Sequence, residues 1–178
     1  MRRHIAWFPA VSLLAALIAV PAVAADTVVK MQRVTLDGTG EPLGTVTIAG
    51  LDAGATFKLD LHGLQPGPHG FHVHEKASCD PTAANGTPVP AGAAGGHMDP
   101  DHTAKHAGPG GEGHLGDLPV LDVAADGTAT QTLTAPRLKD VEALKGHALM
   151  IHAGGDNYSD SPSPLGGGGG RFACGVIQ

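Results

Sequence analysis

Gly70-Phe71-His72-Val73-His74-Glu75 decides the reading of this chain. In an extended strand, successive side chains alternate faces, so His72 and His74 point one way and Phe71 and Val73 the other. One face can enter an apolar core while the other presents two imidazoles to a single point. Imidazole suits Zn, Cu, Fe and Ni, and a rigid strand fixes the angle between two such ligands. A pair of half-exposed strand histidines is the plainer alternative, and the residues downstream decide between them.

Around this stretch the sequence reads as short strands. Thr27 to Leu36, Thr45 to Ile48 and Thr56 to Leu61 carry β-type apolar patterns, with a turn at Asp37-Gly38-Thr39-Gly40 and a loop from His62 to Pro68. From Glu75 to about Pro119 apolar periodicity vanishes and Gly, Pro, Ala, His and Asp dominate. A loop of that length in a compact domain is functional or disordered, and metal coordination with a disulfide is what could offset its ordering entropy. Strands resume at Val120 to Val123 and Thr128 to Leu133, across an Asp126-Gly127 turn. One helical turn is expected within Leu138 to Leu144, a buried strand at Ala148 to His152, a second Gly/Pro-rich loop from Gly154 to Gly170, and a last strand from Phe172 to Ile177. About eight short strands with little helix predict an all-β fold, an eight-stranded antiparallel Greek-key barrel or sandwich with two long functional loops.

The chain of 178 residues is long enough for one domain with a sizeable core. Met1-Arg2-Arg3, an apolar run from Ile5 to Val20 and Pro21-Ala22-Val23-Ala24-Ala25 have the layout of a secretory signal peptide cleaved after Ala24 or Ala25. A membrane anchor is the rival, disfavoured by Pro9 and by the small residues at the end of the run. The expected organisation is a removed segment 1–25 and a single domain 26–178, exported and periplasmic, with no membrane attachment after cleavage. The mature chain then has 9 Lys and Arg against 17 Asp and Glu, a formal net charge of −8. Such a chain should avoid nucleic acid and acidic membrane surfaces, and an anionic substrate would need a local positive focus. Cys79 and Cys174, an even pair in an oxidising compartment, read as one structural disulfide; two thiols ligating a metal are the alternative.

Ten histidines remain in the mature chain, spread out with Gly or Asp neighbours rather than massed in a tract. Gly96-His97-Met98-Asp99-Pro100, Lys105-His106-Ala107-Gly108-Pro109 and Gly113-His114-Leu115-Gly116-Asp117 follow the opening stretch, and Met150-Ile151-His152 ends an apolar strand. Three His and a carboxylate within about twenty residues make a closed tetrahedral zinc site, and four His without a carboxylate better suit copper. In this order the motifs, with His69-Gly70-Phe71 and Gly169-Gly170-Arg171-Phe172-Ala173-Cys174-Gly175, resemble the copper,zinc superoxide dismutase family. The insert between Cys79 and His97, and Gly154-Gly155-Asp156-Asn157-Tyr158-Ser159-Asp160, resemble its bacterial periplasmic branch. Coverage runs from about Val28 to Ile177.

The resemblance implies one copper and one zinc ion per subunit: copper on His72, His74, His97 and His152, zinc on His97, His106, His114 and Asp117, with His97 bridging. It implies that Arg171 lines the copper channel, that Asp156 ties the two ligand sets together and that Cys79 pairs with Cys174. The implied reaction is dismutation of superoxide to O2 and hydrogen peroxide, an antioxidant defence outside the cytoplasm, with His97 taking up a proton within the cycle. Assembly is expected as a monomer or a homodimer, and aromatics at 3% supply no obvious anchor cluster for an interface. His69 is expected to serve the loop scaffold, and His62, His102 and His147 to face solvent. Glu75, Asp99 and Asp101 read as solvated charges, with Lys76 or Lys105 able to steer substrate weakly. A metal-sequestering or copper-delivery domain is the alternative from the binding class; it has no use for Arg171. A zinc-only hydrolase would need an open water position that a complete zinc shell does not leave.

Overall fold

The computed structural model describes residues 26–84 and 86–178, so the expected signal peptide lies outside the described residues. Eleven strands follow in order: β1 (Thr27–Thr35), β2 (Gly38–Leu51), β3 (Gly54–Leu61), β4 (Gly67–His69), β5 (Phe71–His74), β6 (Thr82–Ala84), β7 (Thr87–Val89), β8 (Leu121–Val123), β9 (Thr132–Ala135), β10 (Ala148–His152) and β11 (Arg171–Val176). Seven form one antiparallel sheet in the order β5-β10-β11-β1-β2-β3-β9. β4 pairs with β8. Only Gly70 separates β4 from β5, so one passage of chain hands the β8 ladder on to the main sheet. Counting that passage once and leaving aside the β6–β7 hairpin gives the eight Greek-key strands. The sequence neighbours β3 and β4 are not ladder partners, because β3 pairs with β9 instead.

Two element boundaries differ most from the sequence reading. β2 runs back to Gly38, because pairing with β1 begins directly at the turn, Thr35 opposite Gly38. Register shifts between Met31 and Val34 interrupt the alternation that Gly40, Pro42 and Gly44 had already blurred. Gly44 has φ +113°, and a Cβ there would stand 2.0 Å from the Asp60 carbonyl oxygen, so only glycine passes. Of Thr128 to Leu133, only Thr132 and Leu133 are in the ladder, which continues to Ala135, while Ala129 makes a single bridge to Leu61. The long loop also contains the unforeseen β6–β7 hairpin. The helical turn expected within Leu138 to Leu144 is a 3-10 turn at Glu142–Leu144.

The inner face of the sheet closes over one apolar core, with Phe57 and Phe71 edge-to-face at 5.8 Å and Val73, Leu149 and Ile151 beside them. On the other face of β10 and β11, Ala148, Met150 and Cys174 pack against Cys79, Ala91 and Ala94 from the long loop. The Cys79–Cys174 disulfide pins that loop to β11.

β5 therefore differs from a half-exposed strand: all four of its residues are buried. Its outer edge is covered by two returning pieces of loop. Val73 N–H donates to Gly116 O (2.9 Å), Met98 N–H to Val73 O (2.8 Å) and Leu118 N–H to Phe71 O (3.3 Å). The backbone bonds that an edge strand leaves open are thus satisfied by the segments bearing His97 and Asp117.

Candidate metal centre

Strand geometry carries His72 and His74 off β5, and the antiparallel partner β10 brings His152 to the same end. The loop pieces on the free edge of β5 add His97 and Asp117 through bridges His74–His97 and His72–Asp117. The next turns of the loop deliver His106 and His114. One donor atom each from His72, His74, His97 and His152 lie within 4.8 Å of one another, and all four residues are buried. A second group with the same spacing is His72, His97, His106 and Asp117, also buried. His114 stands at its border, Nδ1 3.3 Å from Asp117 Oδ1 and its ring 5.2 Å from that of His97. His72 falls in the second group because its ring stacks on that of His97 at 3.9 Å.

Hydrogen bonds fix which ring nitrogen of each histidine is left over. His74 Nδ1–H donates to Gly95 O (3.0 Å) and His152 Nδ1–H to Gly169 O (3.2 Å), so both Nε2 atoms are free; they face each other at 3.4 Å. His72 Nε2–H donates to Asp156 Oδ2 (2.8 Å), leaving Nδ1. His97 is bound through Nδ1 to Asp117 Oδ1 (2.9 Å), leaving Nε2. His106 Nε2–H donates to Asp156 Oδ1 (2.7 Å); its Nδ1 lies 3.0 Å from Asp117 Oδ2 but out of line for a hydrogen bond. His72 Nδ1, His97 Nε2 and His106 Nδ1 are buried without any hydrogen-bond partner. Buried nitrogens aimed at a common point with no proton partner are what metal ligands look like, since an unsatisfied buried polar atom otherwise costs about 1–3 kcal/mol. The donor set fits one nitrogen-only site and one nitrogen-plus-carboxylate site sharing His97.

The electrostatics agree. Burial, reinforced by neighbouring imidazoles, lowers His72, pushes His74 well below its ordinary value, and takes His97 to about 4 and His152 to about 3, so these four are neutral and able to coordinate. Burial opposes charge on His106 too, but the adjacent Asp117 and Asp156 carboxylates outweigh it and raise this residue to about 9. Burial works against ionising Asp117 and Asp156 as well, and their histidine partners overcome it and hold both carboxyls well below the usual range.

Arg171 opens β11 opposite His152, half-buried, its guanidinium donating to the carbonyls of Ala91 and Gly95. Gly95 O thus accepts from Arg171 and His74 together. Burial lowers the pKa of Arg171, but a guanidinium starts so high that it stays charged.

Of the remaining histidines, His69 is buried and its two ring nitrogens lie 2.7 Å from His152 O and Gln65 O, the scaffold role expected of it. His62 and His102 are exposed, as are Lys76, Lys105 and Asp101. His147 departs from expectation: it is half-buried, and its Nδ1–H donates to the backbone carbonyl of His74 (3.1 Å). Glu75 and Asp99 are more than solvated charges, accepting from Gly96 N–H (3.1 Å) and Ala104 N–H (2.8 Å) respectively. Sequence reasoning overlooked Tyr158, whose Oη accepts from Val120 N–H (2.9 Å), and Asp160, which accepts from His106 N–H (2.8 Å). Their signal is the alternation Asp156-x-Tyr158-x-Asp160.

The sequence pattern of the copper/zinc superoxide dismutase family matches residues 43–177. The Escherichia coli protein described as superoxide dismutase [Cu-Zn] is 53% identical over 167 residues, 94% of this chain and 96% of that one. The solved Cu/Zn superoxide dismutase from Brucella abortus aligns with a TM-score of 0.85 at 53% identity, over 86% of this chain and all of that one. The monomeric copper, zinc superoxide dismutase from Salmonella enterica gives 0.78 at 56% identity, again over 86% of this chain. With these matches spanning nearly the whole fold and its metal centre, the chain belongs to the copper/zinc superoxide dismutase family, enzymes that act on superoxide with copper and zinc as cofactors.

Proposed function

We propose that His72 through Nδ1, and His74, His97 and His152 through Nε2, hold copper, and that His97, His106, His114 and Asp117 hold zinc. The observation that carries this reading is the set of three buried imidazole nitrogens left without partners, on His72, His97 and His106. Copper supplies a one-electron couple, so that one superoxide leaves as O2 and a second, with two protons, as hydrogen peroxide, while zinc has no redox chemistry to offer.

The residues of the chain do the rest. Arg171 attracts and orients the anion: its planar fork is fixed by two carbonyl acceptors, and it supplies a local positive charge on an acidic protein. His97 Nε2 is the atom at which a proton is taken up and released. In the metal-free protein, burial lowers this imidazole to about 4 and disfavours its charged form. Asp156 orients His72 and His106 with one oxygen each. A metal-sequestering protein would have no need of a cation held rigidly beside its copper ligands, and the placement of Arg171 favours turnover.

We place the mature enzyme outside the cytoplasm, in the periplasm, after removal of segment 1–25. The leader-like composition, the disulfide and the bacterial relatives support this placement. One chain supplies every residue of the proposed site, so a homodimer would pair complete sites rather than complete them. Metal analysis and a superoxide assay on the mature protein, with and without added copper, test the proposal. One copper and one zinc per chain and copper-dependent turnover are expected, and turnover independent of copper would sink it.

A further inference from the structure

We propose that Asp160 is a positioning residue for the zinc ligand His106, holding its backbone while Asp156 holds its ring; this rests on the assignment of His106 to zinc. Asp156, Tyr158 and Asp160 are alternate residues of the β10–β11 loop, and all three turn to the segment that carries the zinc residues. Asp156 accepts from the rings of His72 and His106. The Tyr158 ring covers Gly108, where a Cβ would come within 2.7 Å of it, and its hydroxyl accepts from Val120 N–H. Asp160 accepts His106 N–H through Oδ2 (2.8 Å) and Leu165 N–H through Oδ1 (3.1 Å), bridging two loops 54 residues apart. The intervening residues serve their own loop: Ser159 N–H donates to Asn157 Oδ1, and the Asn157 amide donates to Ser161 O.

The two carboxylates differ in one respect. Asp156 touches ligands assigned to both metals, whereas the one assigned ligand that Asp160 meets is His106, through its backbone. The next amide, Ala107 N–H, is held by Asp117, which is itself a proposed zinc ligand. Asp160 ligates nothing, so its grip on His106 N–H persists in the zinc-free protein. His106 Nδ1 then stays aimed at the vacated position, which slows zinc loss and speeds its return. Carboxylates that orient metal ligands are typically worth 10–100-fold in metal affinity. An exposed carboxylate acting through the backbone belongs at the lower end, about tenfold.

The test uses the mature, copper- and zinc-loaded protein and its Asp160→Ala, Asp160→Asn and His106→Ala variants. Zinc release to a chromophoric chelator is timed, and the Cu(II) electron paramagnetic resonance spectrum is recorded alongside. His106→Ala must lose zinc; if it does not, the metal assignment itself fails, independently of Asp160. With that established, Asp160→Ala should release zinc about tenfold faster with an unaltered copper spectrum. Asp160→Asn, which keeps one acceptor oxygen, should fall between. Zinc release at the wild-type rate in Asp160→Ala, or parallel loss of copper and zinc, overturns the proposal. Should Asp160→Ala not fold, hydrogen exchange on the zinc-free wild type decides. A protected His106 amide supports the role, and exchange as fast as an exposed amide refutes it.

Discussion

Replacing Asp156 by Ala should loosen both metals and destabilise the metal-free fold. The Asp156 carboxylate has no solvent exposure and accepts from His72 Nε2–H at 2.8 Å, His106 Nε2–H at 2.7 Å and Tyr158 N–H at 2.7 Å. Alanine leaves two imidazole N–H groups buried without acceptors, at about 1–3 kcal/mol each, so roughly 2–6 kcal/mol of stability is at stake. In a domain of this size each kcal/mol moves the melting temperature by about 2–4 °C, so calorimetry on the metal-free variant should show a drop of at least about 4 °C. Each metal also loses the group that orients one of its ligands, at about 10–100-fold in affinity. Replacing a ligand of one metal alone would spare the other, whereas Asp156→Ala should release copper and zinc at lower chelator concentration together. Wild-type retention of both metals, with a metal-free melting temperature unmoved by more than about a degree, would refute the reasoning.

Replacing Arg171 by Ala should lower superoxide turnover about tenfold and flatten its dependence on ionic strength while copper content stays unchanged, since the guanidinium is the fixed cation beside the proposed copper ligands. Stopped-flow assays across a salt series check this, and full activity retained would rule out the anion-guiding role. Reducing the disulfide opens a loop of 95 residues, at about 4–5 kcal/mol in the chain-entropy account, and should lower both the melting temperature and metal retention. An unchanged melting temperature after reduction counts against that stabilising role. Acid should destabilise the metal-free protein: in the unfolded chain His97 and His152 take up protons near 6.5, in the fold only at about 4 and about 3, so stability falls from about pH 6.5 downward. His106 acts at the other end, its contribution complete below about 6.5 and lost as pH rises through about 9. Melting temperatures of metal-free protein from pH 4 to pH 10 should therefore peak near neutrality, and a plateau running down to pH 4 would contradict the burial argument.

What the sequence revealed follows from how each feature is encoded. Phe71 and Val73 alternating with His72 and His74 fix a strand with a core face, and that reading needs no partner. The barrel strands that repeat such alternation were legible, and β2 was shortened chiefly where Gly40, Pro42 and Gly44 break it. Burial of the histidine face of β5 was not legible. It depends on the 96–98 and 116–118 segments returning to satisfy open backbone groups, and the side chains in those segments carry no sign of that pairing.

The proposed ligands stand out because ten imidazoles spread through one mature chain are chemically specific, whereas His74 and His152 are aimed by backbone carbonyls, which every residue possesses. Gly95 shows the consequence. Its φ of +78° and ψ of −157° restrict the position to glycine, and its carbonyl accepts from both His74 and Arg171. The proposed copper ligand and the anion-attracting cation are therefore referenced to one oxygen, on a loop that the disulfide fastens to the strand bearing Arg171. A shift of that loop cannot move the cation without also moving the hydrogen bond that sets the orientation of the His74 ring. The proposed copper geometry and substrate guidance are thus coupled through a backbone atom.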